Sequence, residues 1–237
     1  MSPVPNAFSV ALVAEKARGM LPVIPDIKCI SPKEGGLLRG RDPVQVAKNL
    51  VSWGAPVLSV VTETEHFGGS TQLLEDISAS VAVPVLRKDF IHTATDLCET
   101  KAMGASAVLL IAASMDEKTL TDLYAQALII GLEPLVEVHT AKEMAFAITL
   151  NPRLVGINNR NILKLEKDNG NINRTQHLAT AKPPNALLIS ESGIMSIEDA
   201  KQAAGAGTDA ILVGTVLWQA ADMEGMYQAL RTVTGNV

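Results

Sequence analysis

A chain of 237 residues, 47% hydrophobic and 19% charged, has the composition of an ordinary globular protein and the length of one barrel. A net charge of −5 and a pI near 5.4 speak against a nucleic-acid partner, and 3% aromatic residues offer little surface for base stacking. No apolar run approaches the roughly 18 residues of a membrane span, the opening Met1–Asn6 has no signal-peptide pattern, and Cys29 and Cys98 suit neither a disulfide framework nor a zinc site, so a reduced, cytoplasmic setting with no membrane partner is expected.

Ala7–Met20 reads as one amphipathic helix, with Ala11, Leu12 and Ala14 to one side and Glu15, Lys16 and Arg18 elsewhere. From Leu21 onward a unit repeats: a short β-rich run, a loop, a helical stretch. The runs are Val23–Lys28, Pro56–Val61, Val83–Leu86, Ala107–Ile111, Glu133–Val138, Leu154–Ile157, Ala186–Ile189 and Ala210–Val213. Helical patterns separate them at Pro43–Trp53, Thr71–Ser80, Thr93–Met103, Asp116–Ile130, Ala141–Leu150 and Ser196–Ala204. Most runs are continuously apolar, as strands of a parallel sheet covered by helices should be. Gly104, Gly131 and the Gly205–Gly207 segment precede strands and read as helix C-caps. Eight such units predict a closed (β/α)8 barrel rather than an open sheet. No shift of composition marks a linker, so one α/β domain is expected over 1–237, with 1–21 as a short N-terminal helical extension and 22–237 as the barrel. Asp168–Asn173 is asparagine-rich and predicts a mobile loop.

Val83–Ile91 organises the rest. A strand-like run ends in Arg87-Lys88-Asp89, and a helical pattern follows. A buried strand gains nothing from three terminal charges unless something polar binds at that rim; solvation of a strand end is the bland alternative. Other runs repeat the theme. Strand 1 ends in Asp26-Ile27-Lys28, with two charged side chains on one face. Strand 5 carries Glu137, strand 6 ends in Asn158-Asn159-Arg160, strand 7 in Ser190-Glu191-Ser192-Gly193 and strand 8 in Gly214-Thr215. In such a barrel these ends share one face, where active sites are built. Lys28, Lys88, Asp26, Glu137 and Glu191 are acid and base candidates, since alternating ammonium and carboxylate groups hold one another charged yet available for proton transfer. Gly193, Gly214 and Thr215 lie where this fold recurrently binds phosphate. His66, His92, His139 and His177 are scattered, show no metal-ligand spacing and read as surface or capping histidines.

These residues resemble the indole-3-glycerol phosphate synthase family of tryptophan biosynthesis. The resemblance rests on Ile27–Pro32, Leu58–Glu63, Pro84–Ile91, Leu135–His139, Gly156–Asn161, Ser190–Ile194 and Leu212–Gly214, in order along the chain; the Lys-Asp-Phe and Asn-Asn-Arg-Asn segments are the specific ones. It implies a carbon–carbon lyase that converts 1-(o-carboxyphenylamino)-1-deoxyribulose 5-phosphate to indole-3-glycerol phosphate, carbon dioxide and water, with no metal or organic cofactor. It further implies Lys88 as general acid, Glu137 as base of the dehydration, and Lys28 as helper acid and anion anchor beside Asp26. Ser31, Asn158, Arg160, Glu191 and Ser192 would hold the substrate, and Gly193, Gly214 and Thr215 its phosphate. A monomer or weak homodimer is compatible with the sequence, as is association with other tryptophan-pathway enzymes. Three features depart from the family pattern: Asp26 where glutamate is usual, a short stretch before strand 1, and Lys33-Glu34 in a first loop whose glycines suit a mobile lid. Three rivals stay open at this point: another phosphate-binding barrel enzyme such as a phosphoribosyl-type isomerase, a Schiff-base enzyme using Lys88, and a non-catalytic barrel that binds an anionic metabolite or a partner protein.

Overall fold

A computed structural model describes residues 6–162 and 171–234. Eight parallel strands close into a barrel in sequential order: β1 (Val23–Ile27), β2 (Leu58–Val61), β3 (Val85–Lys88), β4 (Ala107–Ile111), β5 (Glu133–Val138), β6 (Leu154–Asn158), β7 (Leu187–Glu191) and β8 (Ala210–Val213). Ten α-helices accompany them among the described residues: α1 (Ala7–Ala17), α2 (Pro43–Ser52), α3 (Thr71–Ser80), α4 (Ala94–Ala102), α5 (Glu117–Ile129), α6 (Ala141–Thr149), α7 (Asn173–Leu178), α8 (Ile197–Gly205), α9 (Thr215–Gln219) and α10 (Met223–Arg231). None is long and apolar enough to cross a membrane.

The expected barrel is the observed one; β1 ends at Ile27 rather than Lys28 and β2 and β3 begin two residues later than expected, while three strands run further than their apolar patterns. β3 reaches Lys88, β6 Asn158 and β7 Glu191, because backbone pairing continues where the side chains turn polar. Of the asparagine-rich 168–173 segment, 168–170 lie outside the described residues and Asn173 begins α7. Helices begin on the site's face with side-chain caps. Asp42 caps α2 ahead of Pro43, Ser70 caps α3, and Thr93 with Asp96 closes a capping box on α4. Gly104, Gly131 and Gly207 take positive φ just past α4, α5 and α8, as their reading as C-caps requires.

Strand parity sorts the core into two layers. Residues facing outward, such as Val108, Leu110, Val136 and Val155, pack beneath the helices. Residues facing inward, such as Ile24, Leu86, Leu109, Leu135, Leu154 and Leu212, fill the barrel together with Phe8 and Leu12 of α1. Helix α1 therefore seals the N-terminal end, opposite the site. Its anchors are at that end: Ser9 N–H donates to Glu133, Lys16 pairs with Asp209, and buried Glu15 pairs with Arg231 at 2.5 Å. Burial raises the Asp209 carboxyl, but donors from Leu188 N–H, Lys16 and Lys182 outweigh it and leave it below its ordinary value.

Phe8 is fully buried against the barrel floor. Phe8→Ala is expected to cost about 3–5 kcal/mol, read as a lower denaturant midpoint. A loss within experimental error of zero would mean that α1 does not plug the barrel.

Candidate active site

At the C-terminal end the inward residues become polar. The last inward positions are Asp26 within β1 and Lys28 just after it, Lys88 on β3, Glu137 on β5, Asn158 on β6 and Glu191 on β7, all buried. The register sets Asp26 beside Ser59, Glu137 beside Gly156, and Asn158 beside Glu191. Lys88 Nζ lies 4.0 Å from Glu137 Oε2, and no hydrogen bond reaches either Glu137 carboxylate oxygen among the described residues.

Lys88 is aimed by its neighbours. Arg87 points away from the barrel axis, donating to Thr62, to Thr100 and to the Asp96 carbonyl, and its guanidinium pairs with Asp89 at 3.0 Å. Asp89 also accepts from Thr62 and from Phe90 N–H. The three charges therefore split: Arg87 and Asp89 clamp the end of β3 and Lys88 enters the barrel. Simple solvation of a strand end is excluded, since all three are largely buried.

Two cavities meet at this layer. One, about 330 Å³, is walled by Phe67, Phe90, Leu109, Ile111 and Ile162. The other, about 370 Å³, is lined by Arg160, Ser192, Gly193, Gly214 and Thr215. Asp26, Lys28 and Lys88 border both. The pocket is thus one bipartite space, apolar on one side and polar on the other, with two ammonium groups and a carboxylate between. Lys28 Nζ also sits 5.3 Å from the Phe67 ring centre, a cation–π contact. Ser192 and Gly193 both take positive φ, which turns the chain sharply after β7 and brings its backbone to the polar lobe.

Supports surround these groups. Ser59 donates to Asp26 at 2.7 Å, and the Trp218 indole N–H donates to the Asp26 carbonyl. Arg41 stacks on Trp218 and binds its carbonyl, tying the base of the first loop to β1. Asn159, rather than joining the pocket, donates to Ser190 and to the Glu191 and Ser192 carbonyls while accepting from Thr175. Arg174 of α7 binds the carbonyls of Asn158 and Arg160. Gly156 has a steric reason to be glycine: a Cβ there would lie 1.8 Å from Glu191 Oε1, so the Glu191 side chain crosses β6 over the missing methyl.

The structure brings together Asp26, Lys28, Lys88, Glu137, Arg160, Ser192, Gly193, Gly214 and Thr215, with Asn158 and Glu191 in the same buried layer. Ser31 is apart. It belongs to a two-stranded antiparallel hairpin, Ile30–Ser31 with Gly35–Gly36, where its hydroxyl accepts from Glu34 N–H. The apolar wall and its two phenylalanines were not singled out as site residues from sequence. Parity was the available signal, since Leu109 and Ile111 alternate on the inward face of β4. His139 also needs correction, being neither surface nor isolated: its side chain is 8% exposed and faces Glu137 and Glu143. His66 is drawn within 4.8 Å of Glu63 and Glu65. Glu63 there accepts from the N–H groups of Glu65, His66 and Phe67, which makes it the cap of its own loop.

The family model described as indole-3-glycerol phosphate synthase matches residues 2–230. The chain is 43% identical over 199 residues to the indole-3-glycerol phosphate synthase of Pyrococcus furiosus, covering 84% of this chain and 86% of that one. It is 41% identical over 213 residues to the enzymes of that name from Burkholderia ambifaria and Exiguobacterium sibiricum, covering 90% of this chain and 80% and 81% of theirs.

If Glu191 fills the space above Gly156, Gly156→Ala should destabilise the fold by about 1–3 kcal/mol through overpacking. The same change in a Glu191→Ala background should cost far less, a coupling that a double-mutant cycle of unfolding measures. Equal costs in the two backgrounds would rule the packing out.

Proposed function

The chain belongs to the indole-3-glycerol phosphate synthase family, and from that premise we propose how its pocket closes the indole ring. The substrate, 1-(o-carboxyphenylamino)-1-deoxyribulose 5-phosphate, is apolar and aromatic at one end and phosphorylated at the other. One observation carries the reading: Asp26, Lys28 and Lys88 border both the apolar and the polar lobe. A molecule with its ring between Phe67 and Phe90 and its phosphate beside Gly193, Gly214 and Thr215 has its ribulose carbonyl over the ammonium groups.

In this pose the ring carbon that bears the carboxylate attacks the carbonyl carbon, and Lys88 protonates the oxygen as negative charge develops there. Carbon dioxide then leaves and its bonding pair restores the aromatic ring. In the last step the new hydroxyl departs as water, protonated by Lys28 or Lys88, while Glu137 takes the proton from the adjacent carbon. Asn158, Arg160, Glu191 and Ser192 hold the hydroxyls and the chain folded, because ring closure within one molecule depends above all on keeping its two ends in contact. Asp26 sets a carboxylate beside both ammonium groups where the lobes meet. Ser31 has its place in the hairpin after Ile30, whose N–H donates to the carbonyl of Phe67 in the apolar wall.

Lys88→Met is expected to abolish turnover, followed by the fluorescence of the indole product, while substrate affinity changes little. Its proton is needed chiefly in the transition state. A parallel loss of affinity and rate would reassign Lys88 to binding, and an adduct at Lys88 trapped by borohydride would favour the Schiff-base chemistry. Gly214→Val should do the opposite, raising KM by crowding the phosphate lobe with kcat largely kept; an unchanged KM would remove Gly214 from the phosphate site.

A further inference from the structure

His139 follows β5 directly, two residues from Glu137, and its imidazole lies between two carboxylates. Nε2 is 3.5 Å from Glu137 Oε1 and Nδ1 is 3.5 Å from Glu143 Oε2. Glu143 opens α6, accepting from His139 N–H at 2.6 Å and from the Thr140 hydroxyl at 2.9 Å. It also lines a groove of about 1250 Å³ outside the barrel, together with Met115, Asp116, Lys118, Lys142 and Phe146. Glu137 itself has no exposed surface. A row of ionisable groups thus runs from solvent on the barrel's flank, through Glu143 and His139, to Glu137 and then Lys88 in the pocket.

The chemistry requires such a connection. The carbonyl oxygen leaves as water and so takes up two protons, while Glu137 recovers one from carbon. Loss of the carboxylate as carbon dioxide releases none. Each turnover therefore leaves the site one proton short, and that proton comes from solvent. With substrate in both lobes, the barrel mouth is filled at the moment the acid groups are spent. We propose that His139 and Glu143 are positioning residues for Glu137 and pass the missing proton inward, from the outer groove to Glu137 and on to Lys88. The proposal rests on the synthase reading with Glu137 as base.

The geometry fits the role. Both gaps are ion-pair distances that shorten to hydrogen bonds on small rotations, as contacts in unliganded sites commonly do. Neither imidazole nitrogen has another hydrogen-bond partner among the described residues, so nothing competes for the ring. The charged groups facing His139 are Glu137 from β5 and Glu143 from α6. Lys88 of β3 stands behind Glu137, and Asp116 and Lys118 of α5 lie across the groove with Lys142. Burial pushes the Glu143 carboxyl up, but hydrogen bonds from His139 and Thr140 and the imidazole's charge outweigh this and hold it below its usual value. Glu143 thus stays anionic.

Glu143→Gln tests the path in the full chain, because the Thr140 cap on residue 143's N–H stays and glutamine keeps an acceptor oxygen for His139 N–H at the start of α6. The change removes the charge of the carboxylate that faces Nδ1 at 3.5 Å, and a carboxylate beside a proton-carrying imidazole favours its charged form. We expect kcat to fall by about 10-fold or more with KM within twofold, and the alkaline limb of the kcat profile to move to lower pH. His139→Asn should reduce kcat further and abolish the dependence of that limb on residue 143. Unchanged kcat and an unmoved limb in Glu143→Gln, with an active wild type, would overturn the path and leave the synthase reading standing. A drop in kcat and rise in KM without a pH shift would overturn it too, by making the role structural. An inactive wild type would instead fail the synthase reading itself.

Discussion

The site depends on an ammonium and a carboxylate held 4.0 Å apart where water is nearly excluded. Taking two charges out of water costs several kcal/mol per ion, and their attraction alone seldom returns it. The pair persists because the surrounding chain is closed and over-determined. β3 is pinned on one flank by Arg87, Asp89 and Thr62, and β6 is pinned to β7 by Asn159. Helix α7 grips the end of β6 through Arg174. Of these groups only Asp89 borders the pocket, yet each removes a way in which the polar layer could relax. The charges that matter for chemistry stand inside a frame made by charges that face out.

The two ends of the barrel divide the work. At the N-terminal end, α1 places Phe8 and Leu12 among the inward aliphatic side chains and secures itself by ion pairs at its rim. At the other end, the same inward positions carry Asp26, Lys88, Glu137 and Glu191. The apolar half supplies the cohesion that the polar half gives up. Strand pairing links them, so a shift at the floor would propagate as register to the layer of functional groups.

Much of this was legible in the sequence because the two periodicities involved are simple. Continuous apolar runs bounded by helical patterns gave the barrel, and a charged residue at the end of such a run has few places to go except the mouth. Lys88 and Lys28 were placed in the buried polar layer on that ground, and Glu137 as a lone charge inside an apolar run. What escaped was whatever depends on a partner far along the chain. His139 resembles any residue in a loop before a helix until its ring is placed between Glu137 and Glu143. Gly156 resembles a weak strand residue until Glu191, 35 positions later, is found in the space of its missing methyl. Phe67 and Phe90 belong to different loops and become a wall only when the barrel closes. The C-terminal ends of β3, β6 and β7 were placed too short, because hydropathy marks where side chains turn polar and not where backbone pairing stops, whereas β1 stops at Ile27, one residue before the expected Lys28.

Asp26 gains a physical setting from the same closure. Its side chain is one methylene shorter than the glutamate usual in the family, which draws the carboxylate back toward the β1 backbone. Ser59, its register partner on β2, meets Oδ1 there at 2.7 Å, and the Trp218 indole fixes the carbonyl behind it. The retracted group is thus held by a strand on one side and lies within 3.5 Å of where a side chain on Gly214 would start on the other. A longer carboxylate from the same backbone position would project further between the lobes, toward the space that Lys28 and Lys88 border. The shorter one leaves that space to the two ammonium groups and to substrate, and supplies its charge from a fixed point at the edge. Electrostatic support of the lysines needs a carboxylate nearby more than it needs contact, so the substitution is compatible with the chemistry proposed here, with Ser59 as the residue that determines where the charge sits.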